Sequence, residues 1–213
     1  MSTPRTPRVD AVVWDLGGVL IGWDPRVLYR RLLGSDEEVE AYLAEVDFAG
    51  WNRLQDAGRP MAEGVAELSA RFPHRRELVE AYPARYAETL LGPVPGSVEL
   101  LDELRRRGQV RLLALTNWSA DTFHHARDGY PFLTWFEAVV VSGEERLAKP
   151  DPRLFRRVLD RHGLESATTV YVDDSAANVA AAGALGLFAL LFTGAETLRS
   201  ELAALGLVAA AAP

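Results

Sequence analysis

The chain contains no cysteine, which excludes a disulfide scaffold, a thiol nucleophile and a thiolate zinc site. That composition fits a reducing compartment such as the cytosol. An excess of positive charge is also missing. Lys and Arg number 23 against 30 Asp and Glu, for a formal charge of −7. A nucleic-acid binder normally carries a basic patch or a high pI. The stretches Arg75-Arg76, Arg105-Arg106-Arg107 and Arg156-Arg157 are short and interrupted by acids, as on solvated helix faces. Long apolar runs are lacking too. Met1 to Arg8 has no apolar core, and the run that follows holds Asp15 and two glycines. Neither a signal peptide nor a membrane span is expected, and the location expected is cytoplasmic.

What is present is ordinary globular material, 48% hydrophobic and 25% charged. Five short apolar runs stand out: Val9–Trp14, Val110–Thr116, Ala138–Ser142, Thr168–Val172 and Leu187–Phe192. Most are apolar throughout rather than alternating, which suits strands buried on both faces of a parallel sheet. Helical spacing lies between them, in Val98, Leu101 and Leu104 and again in Leu154, Phe155, Val158 and Leu159. An Ala-rich stretch after Asp174 ends at Gly186. Strand–helix alternation predicts a doubly wound, Rossmann-like α/β core. From Val110 onward the strands start about 20 to 30 residues apart, close to one βαβ unit each. The first interval instead carries a surplus of about 70 residues over such a unit. That surplus is helical in pattern, with apolar faces Val39, Tyr42, Leu43, Val46 and Met61, Val65, Leu68, Phe72. The expected organisation is therefore a core of residues 1–22 and 93–213 with a helical cap of residues 23–92, the return marked by Pro93 and Pro95.

In open parallel sheets, ligands bind beyond the carboxyl ends of the strands. Asp15-Leu16-Gly17-Gly18 follows the first run and Thr116-Asn117-Trp118-Ser119 the second. Lys149-Pro150-Asp151-Pro152 comes shortly after the third, and Asp173-Asp174-Ser175 with Asn178 after the fourth. An Asp carboxylate can act as a covalent nucleophile toward phosphorus. Several acids at one place repel one another and call for a cation, and hard oxygen ligands suit Mg²⁺. Thr116 with a following backbone N–H would hold phosphoryl oxygens, and Lys149 would supply fixed positive charge. Singly, these residues also have structural readings: Asp15 as a turn residue, Asp151 as a helix N-cap before Pro152, and Asp174 or Ser175 as a cap.

In this order the residues resemble the four motifs of the haloacid dehalogenase superfamily, and the helical insertion resembles its first cap class. The resemblance spans about Val9 to Phe192. It implies Asp15 as nucleophile, and Thr116 and Lys149 as catalytic groups binding the phosphoryl. Asn117 and Trp118 would border the substrate. Mg²⁺ would be held by Asp15, the Gly17 carbonyl and Asp174, with Asp173 and Asn178 supporting the ion and its waters. The implied partner is a small phosphorylated substrate, and the segment Asp15 to Asp24 looks closest to a bacterial sugar-phosphate phosphatase branch.

One position departs from that pattern. Phosphatases of the superfamily usually carry a second Asp two residues after the nucleophile, as general acid and base, and here Gly17 stands there. Such help is worth about 10² to 10⁴-fold in rate. Its loss predicts a preference for good leaving groups, or an acid borrowed from elsewhere, with Asp24 as candidate. Two alternatives stand beside the phosphatase: a metal-free haloacid dehalogenase using Asp15, and a weakly active or non-catalytic binding protein. The Asp173-Asp174 pair favours the phosphatase. The cap would close over the strand ends as a lid. Trp51 to Arg59 could reach the pocket, or could be a helix end with Gly58 as cap and Arg59 on its surface. His124 and His125 are expected to point apart and to be structural.

Overall fold

The computed structural model describes residues 8–210. All five apolar runs are strands, and a further pair appears. The strands are β1 (Ala11–Trp14), β2 (Ile21–Trp23), β3 (Leu90–Pro93), β4 (Arg111–Thr116), β5 (Ala138–Val141), β6 (Thr169–Asp173) and β7 (Phe188–Leu191). Five form one sheet in the order β5-β4-β1-β6-β7, with every neighbouring pair parallel. The apolar runs do not alternate because both faces of this sheet are covered. Val12, Trp14, Ala114 and Val172 belong to one buried cluster, and Ala11, Val13, Leu113 and Tyr171 to the other. The chain builds outward from β1 to β4 and β5, then returns to the other side of β1 for β6 and β7. A reversal of this kind opens a crevice at the carboxyl ends of the central strands.

The cap helices are α1 (Pro25–Arg30), α2 (Asp36–Glu45), α3 (Phe48–Asp56), α4 (Met61–Arg71) and α5 (Arg76–Ala84). The remaining helices are α6 (Ser97–Arg107), α7 (Phe123–Gly129), α8 (Ser142–Glu145), α9 (Pro152–His162), α10 (Ala176–Ala184) and α11 (Ala195–Ala204). The faces read from the sequence are the buried ones: Val39, Tyr42 and Leu43 on α2, Leu101 and Leu104 on α6, and Leu154, Phe155 and Val158 on α9. Asp151 caps α9 as expected, its carboxylate accepting from Arg153 N at 2.9 Å with Pro152 at the first helical position. Among the described residues, no helix is long and apolar enough to cross a membrane.

The element missed in the sequence is the stem of the insertion. β2 and β3 pair antiparallel, Ile21 opposite Pro93 and Gly22 opposite Gly92, with a bulge before Trp23. Strands of three and four residues containing Gly and Pro carry little β signal. The stem joins the two ends of the insertion, so the change from core to cap is a hydrogen-bonded ribbon. Above it, Tyr29, Tyr42, Phe48, Trp51 and Tyr82 form an aromatic cap core. Tyr86 extends that cluster to Trp118 and His125 of the α/β core, with centroids 6.0 and 5.6 Å apart. Cap and core thereby share one apolar cluster.

Candidate active site

Strand pairing brings Asp15, Thr116 and Asp173 to one edge of the sheet. Trp14 is in register with Val172, so Asp15 stands beside Asp173, and its backbone N–H donates to Val172 O at 2.8 Å. The Asp15 carboxylate accepts from Leu16 N at 2.7 Å, and its Oδ1 lies 2.9 Å from Lys149 Nζ. That ammonium also donates to Asp173 Oδ2 at 2.7 Å and to Leu115 O at 2.9 Å. Asp173 accepts further from Asn178, from Ser175 N and from the Tyr171 hydroxyl. Its two oxygens are thus largely committed to protein donors. Asp174 reaches back beside Gly18. A Cβ at Gly18 would collide with Asp174 Oδ2, and Gly18 has φ +74°, a conformation that favours glycine.

The charges at this edge do not balance. Oxygens of Asp15, Asp173 and Asp174 lie within 4.8 Å of one another, while among the described residues Lys149 is the one cation paired with them. Burial pushes the Asp15 pKa up to about 7; Lys149 pulls it down, while Asp173 and Asp174 add to the rise. Asp174 is raised by burial and then by Asp173. Burial alone would favour neutral Lys149, but Asp15 and Asp173 outweigh it and hold its pKa above the usual lysine value. Three carboxylates around one ammonium leave two negative charges, a donor set suited to a hard divalent cation. Thr116 Oγ1 is buried with no hydrogen-bond partner at the end of β4. An orphaned hydroxyl in that position is a donor held ready for a ligand oxygen.

The other expected positions fall in different places. The Asn117 amide clamps the lysine loop, donating to Lys149 O at 2.9 Å and accepting from Lys149 N at 2.8 Å. Its side chain is therefore spent on positioning Lys149, and only its backbone remains for a substrate. The Trp118 ring is buried against Tyr86 and Phe123 and is absent from the walls of the large cap cavity. Asp24 is the N-cap of α1, accepting from Arg26 N at 2.9 Å and lying 3.6 and 3.7 Å from Arg26 and Arg30. The capping bond and the two arginines commit its carboxylate to the start of α1. His124 and His125 do not point apart: their centroids are 4.0 Å apart because His125 turns to stack on Tyr86. Trp51 is buried in the cap, donating through Nε1 to Gly64 O at 2.9 Å, and Arg59 stays within the cap on Gln55 and Glu67.

Two features add to the expectations for Lys149 and for the segment Trp51 to Arg59. Lys149 is the only lysine in the chain, all other basic residues apart from histidine being arginine. That count alone singles it out. The second is Asp56 at the end of α3, which borders a cavity of about 560 Å³ lined also by Trp23, Arg26, Phe48, Asn52 and Arg53. Only spacing along α3, Asn52 and Asp56 at i and i+4, placed both on one face.

Against known families, residues 9–186 match the haloacid dehalogenase-like hydrolases. The sesquiterpene phosphatase astK of Aspergillus oryzae is 29% identical over 192 residues, covering 86% of this chain and 89% of that protein. The phosphorylated carbohydrates phosphatase of Thermotoga maritima is 23% identical over 181 residues, covering 84% and 82%. Among solved structures, the HAD family enzyme bt-2542 of Bacteroides thetaiotaomicron, an Asp12Ala mutant in complex with magnesium and inorganic phosphate, has a TM-score of 0.69 at 20% identity, covering 87% and 95%. A dehalogenase has a TM-score of 0.65 at 20% identity, covering 92% and 97%. These likenesses show the fold alone.

Proposed function

Because this chain belongs to the haloacid dehalogenase-like hydrolases, we propose that it is a Mg²⁺-dependent phosphatase of small phosphorylated metabolites. The observation that carries this reading is the cluster of Asp15, Asp173 and Asp174, more negative than Lys149 can offset. A halide leaves without such a cation, whereas a phosphoryl dianion attacked by a carboxylate needs one. Phosphatases among the relatives, including one for phosphorylated carbohydrates, support the same choice and make sugar phosphates the favoured class.

Asp15 is the nucleophile in this reading. Its carboxylate, oriented by Leu16 N–H and Lys149, attacks phosphorus to give an aspartyl-phosphate, which water then hydrolyses to inorganic phosphate and free Asp15. The Thr116 hydroxyl and Lys149 hold phosphoryl oxygens, and Asn117 fixes the lysine loop. Asp15, the Gly17 carbonyl and Asp174 would hold Mg²⁺, with Asp173 and Asn178 behind them. When bound, the ion supplies charge that offsets the repulsion between carboxylate and phosphate.

The test is hydrolysis of 4-nitrophenyl phosphate by the metal-free protein with and without added Mg²⁺. Activity should appear only with the ion and vanish in Asp15→Asn. Turnover that survives EDTA, or dechlorination of 2-chloropropionate at a comparable rate, would overturn the reading.

A further inference from the structure

Resting on the phosphatase reading, we infer that Asp56, brought by the cap, is the general acid and base that takes the place of the carboxylate missing at Gly17. Asp56 ends α3, and that end is pinned to the core. Its carbonyl accepts from Ser142 Oγ, which also accepts from Trp118 N at 2.9 Å. Two residues on, Gly58 has φ +98° and lies so close to α8 that a Cβ would meet Gly143 O and Arg146 Cα at 2.9 Å. The carboxylate is aimed by Asn52 Nδ2, which donates at 3.0 Å, and it lies close to the backbone N–H of Ser119, three residues past Thr116.

The position suits the leaving group. Asp15 attacks from the sheet, so in-line displacement sends the departing oxygen toward the cap. Asp56, on the cap side, borders a cavity of about 560 Å³ lined by residues between 23 and 56, and it lies near enough to Lys149 and Asp15 for both to act on its charge. The other acids on that wall are engaged: Glu40 pairs with Arg26, and Asp47 caps α3. Burial raises the Asp56 pKa to about 7; Ser119 N–H and Lys149 pull against it, while Asp15 adds to the rise. Tyr82 and Tyr86 also feel its charge. Such a carboxyl can both give and take a proton near neutrality.

The steps balance. Asp15 forms a bond to phosphorus as the ester P–O bond breaks, and the departing alkoxide takes the Asp56 proton to leave as the alcohol. Asp56, now ionised, removes a proton from water as that water attacks phosphorus. The phosphorus–Asp15 bond breaks, restoring both carboxyl groups and releasing phosphate.

The experiment compares kcat/KM across 4-nitrophenyl phosphate, phenyl phosphate and glycerol 3-phosphate, with Mg²⁺, in wild type and Asp56→Asn. The wild type should vary little with leaving-group acidity. Asp56→Asn should lose about 10² to 10⁴-fold on glycerol 3-phosphate and at least tenfold less than that on 4-nitrophenyl phosphate, whose anion leaves without a proton, with an unchanged thermal melt showing the fold intact. Adding Gly17→Asp should restore part of the lost activity, because a Cβ at Gly17 meets nothing within 4 Å. An equal loss on all three esters, or a wild type already steep in leaving-group acidity, overturns the assignment of Asp56 while leaving the phosphatase standing. A wild type inactive on every ester overturns the phosphatase reading, and this inference with it.

Discussion

At the residue scale, Lys149 shows why the chain's single lysine stands where it does. An ammonium is a compact charge, and here it pairs with Asp15 and Asp173 and donates to Leu115 O. A guanidinium would bring five donors in a rigid fork to the same buried point. Lys149→Arg is therefore expected to abolish activity although charge is conserved. Lys149→Met should cost about 3–5 kcal/mol of metal-free stability, as for a buried pair broken on one side. Urea unfolding checks this, and a loss below about 1 kcal/mol would mean that the lysine is not compensating the carboxylates. Lys149, Asp15 and the acid pair were legible in the sequence because each sits at a strand end. Asn117 and Asp24 were not, since an amide or carboxylate is equally fit to bind a ligand, clamp a loop or cap a helix. The donors around them decide.

At the element scale, the tip of α3 is the joint between cap and core. Gly58 and Gly92 both have positive φ, +98° and +92°, but only Gly58 would place a Cβ against backbone. Gly92→Ala in the β2–β3 stem should cost strain alone, about 1–2 kcal/mol. Gly58→Ala should cost more, because α8 must also give way, and it should lower kcat/KM as Asp56 is pushed off Ser119. Thermal melts and aryl phosphate kinetics on the two variants separate strain from docking. Equal effects on activity would show that the α3 tip does not position the site. The helices on either side of this joint were legible from periodicity alone. The stem was not, because its strands are too short and too rich in Gly and Pro to show a period.

At the scale of the whole molecule, the site sets how stability responds to pH and metal. Asp15 and Asp56 both have folded pKa values near 7, above the usual carboxylate value of 3.8. A raised folded pKa means that the native state binds more protons than the unfolded chain between those limits. Metal-free stability should therefore fall as pH rises from about 4 to about 7 and level off above that. Asp173, whose pairing with Lys149 outweighs its burial and lowers its pKa, opposes this only at the acid end. Mg²⁺ at a hundredfold excess over its dissociation constant should return about 2.7 kcal/mol at pH 8, and Asp174→Asn should remove most of that gain. Urea titrations at pH 5.5 and 8, with and without the ion, check both parts. A metal-free protein more stable at pH 8 would contradict the charge balance described here.

The sequence by itself determined the sheet, the helical insertion and the motif order, because burial on both faces, helical periodicity and strand-end polar residues are local patterns. Only the tertiary structure decided which of the acids meet. The distance from Asp56 to the strand ends depends on how the cap docks, and docking rests on the Gly58 approach, the Ser142 hydroxyl and the aromatic bridge through Tyr86. None of these contacts leaves a period or a spacing in the chain.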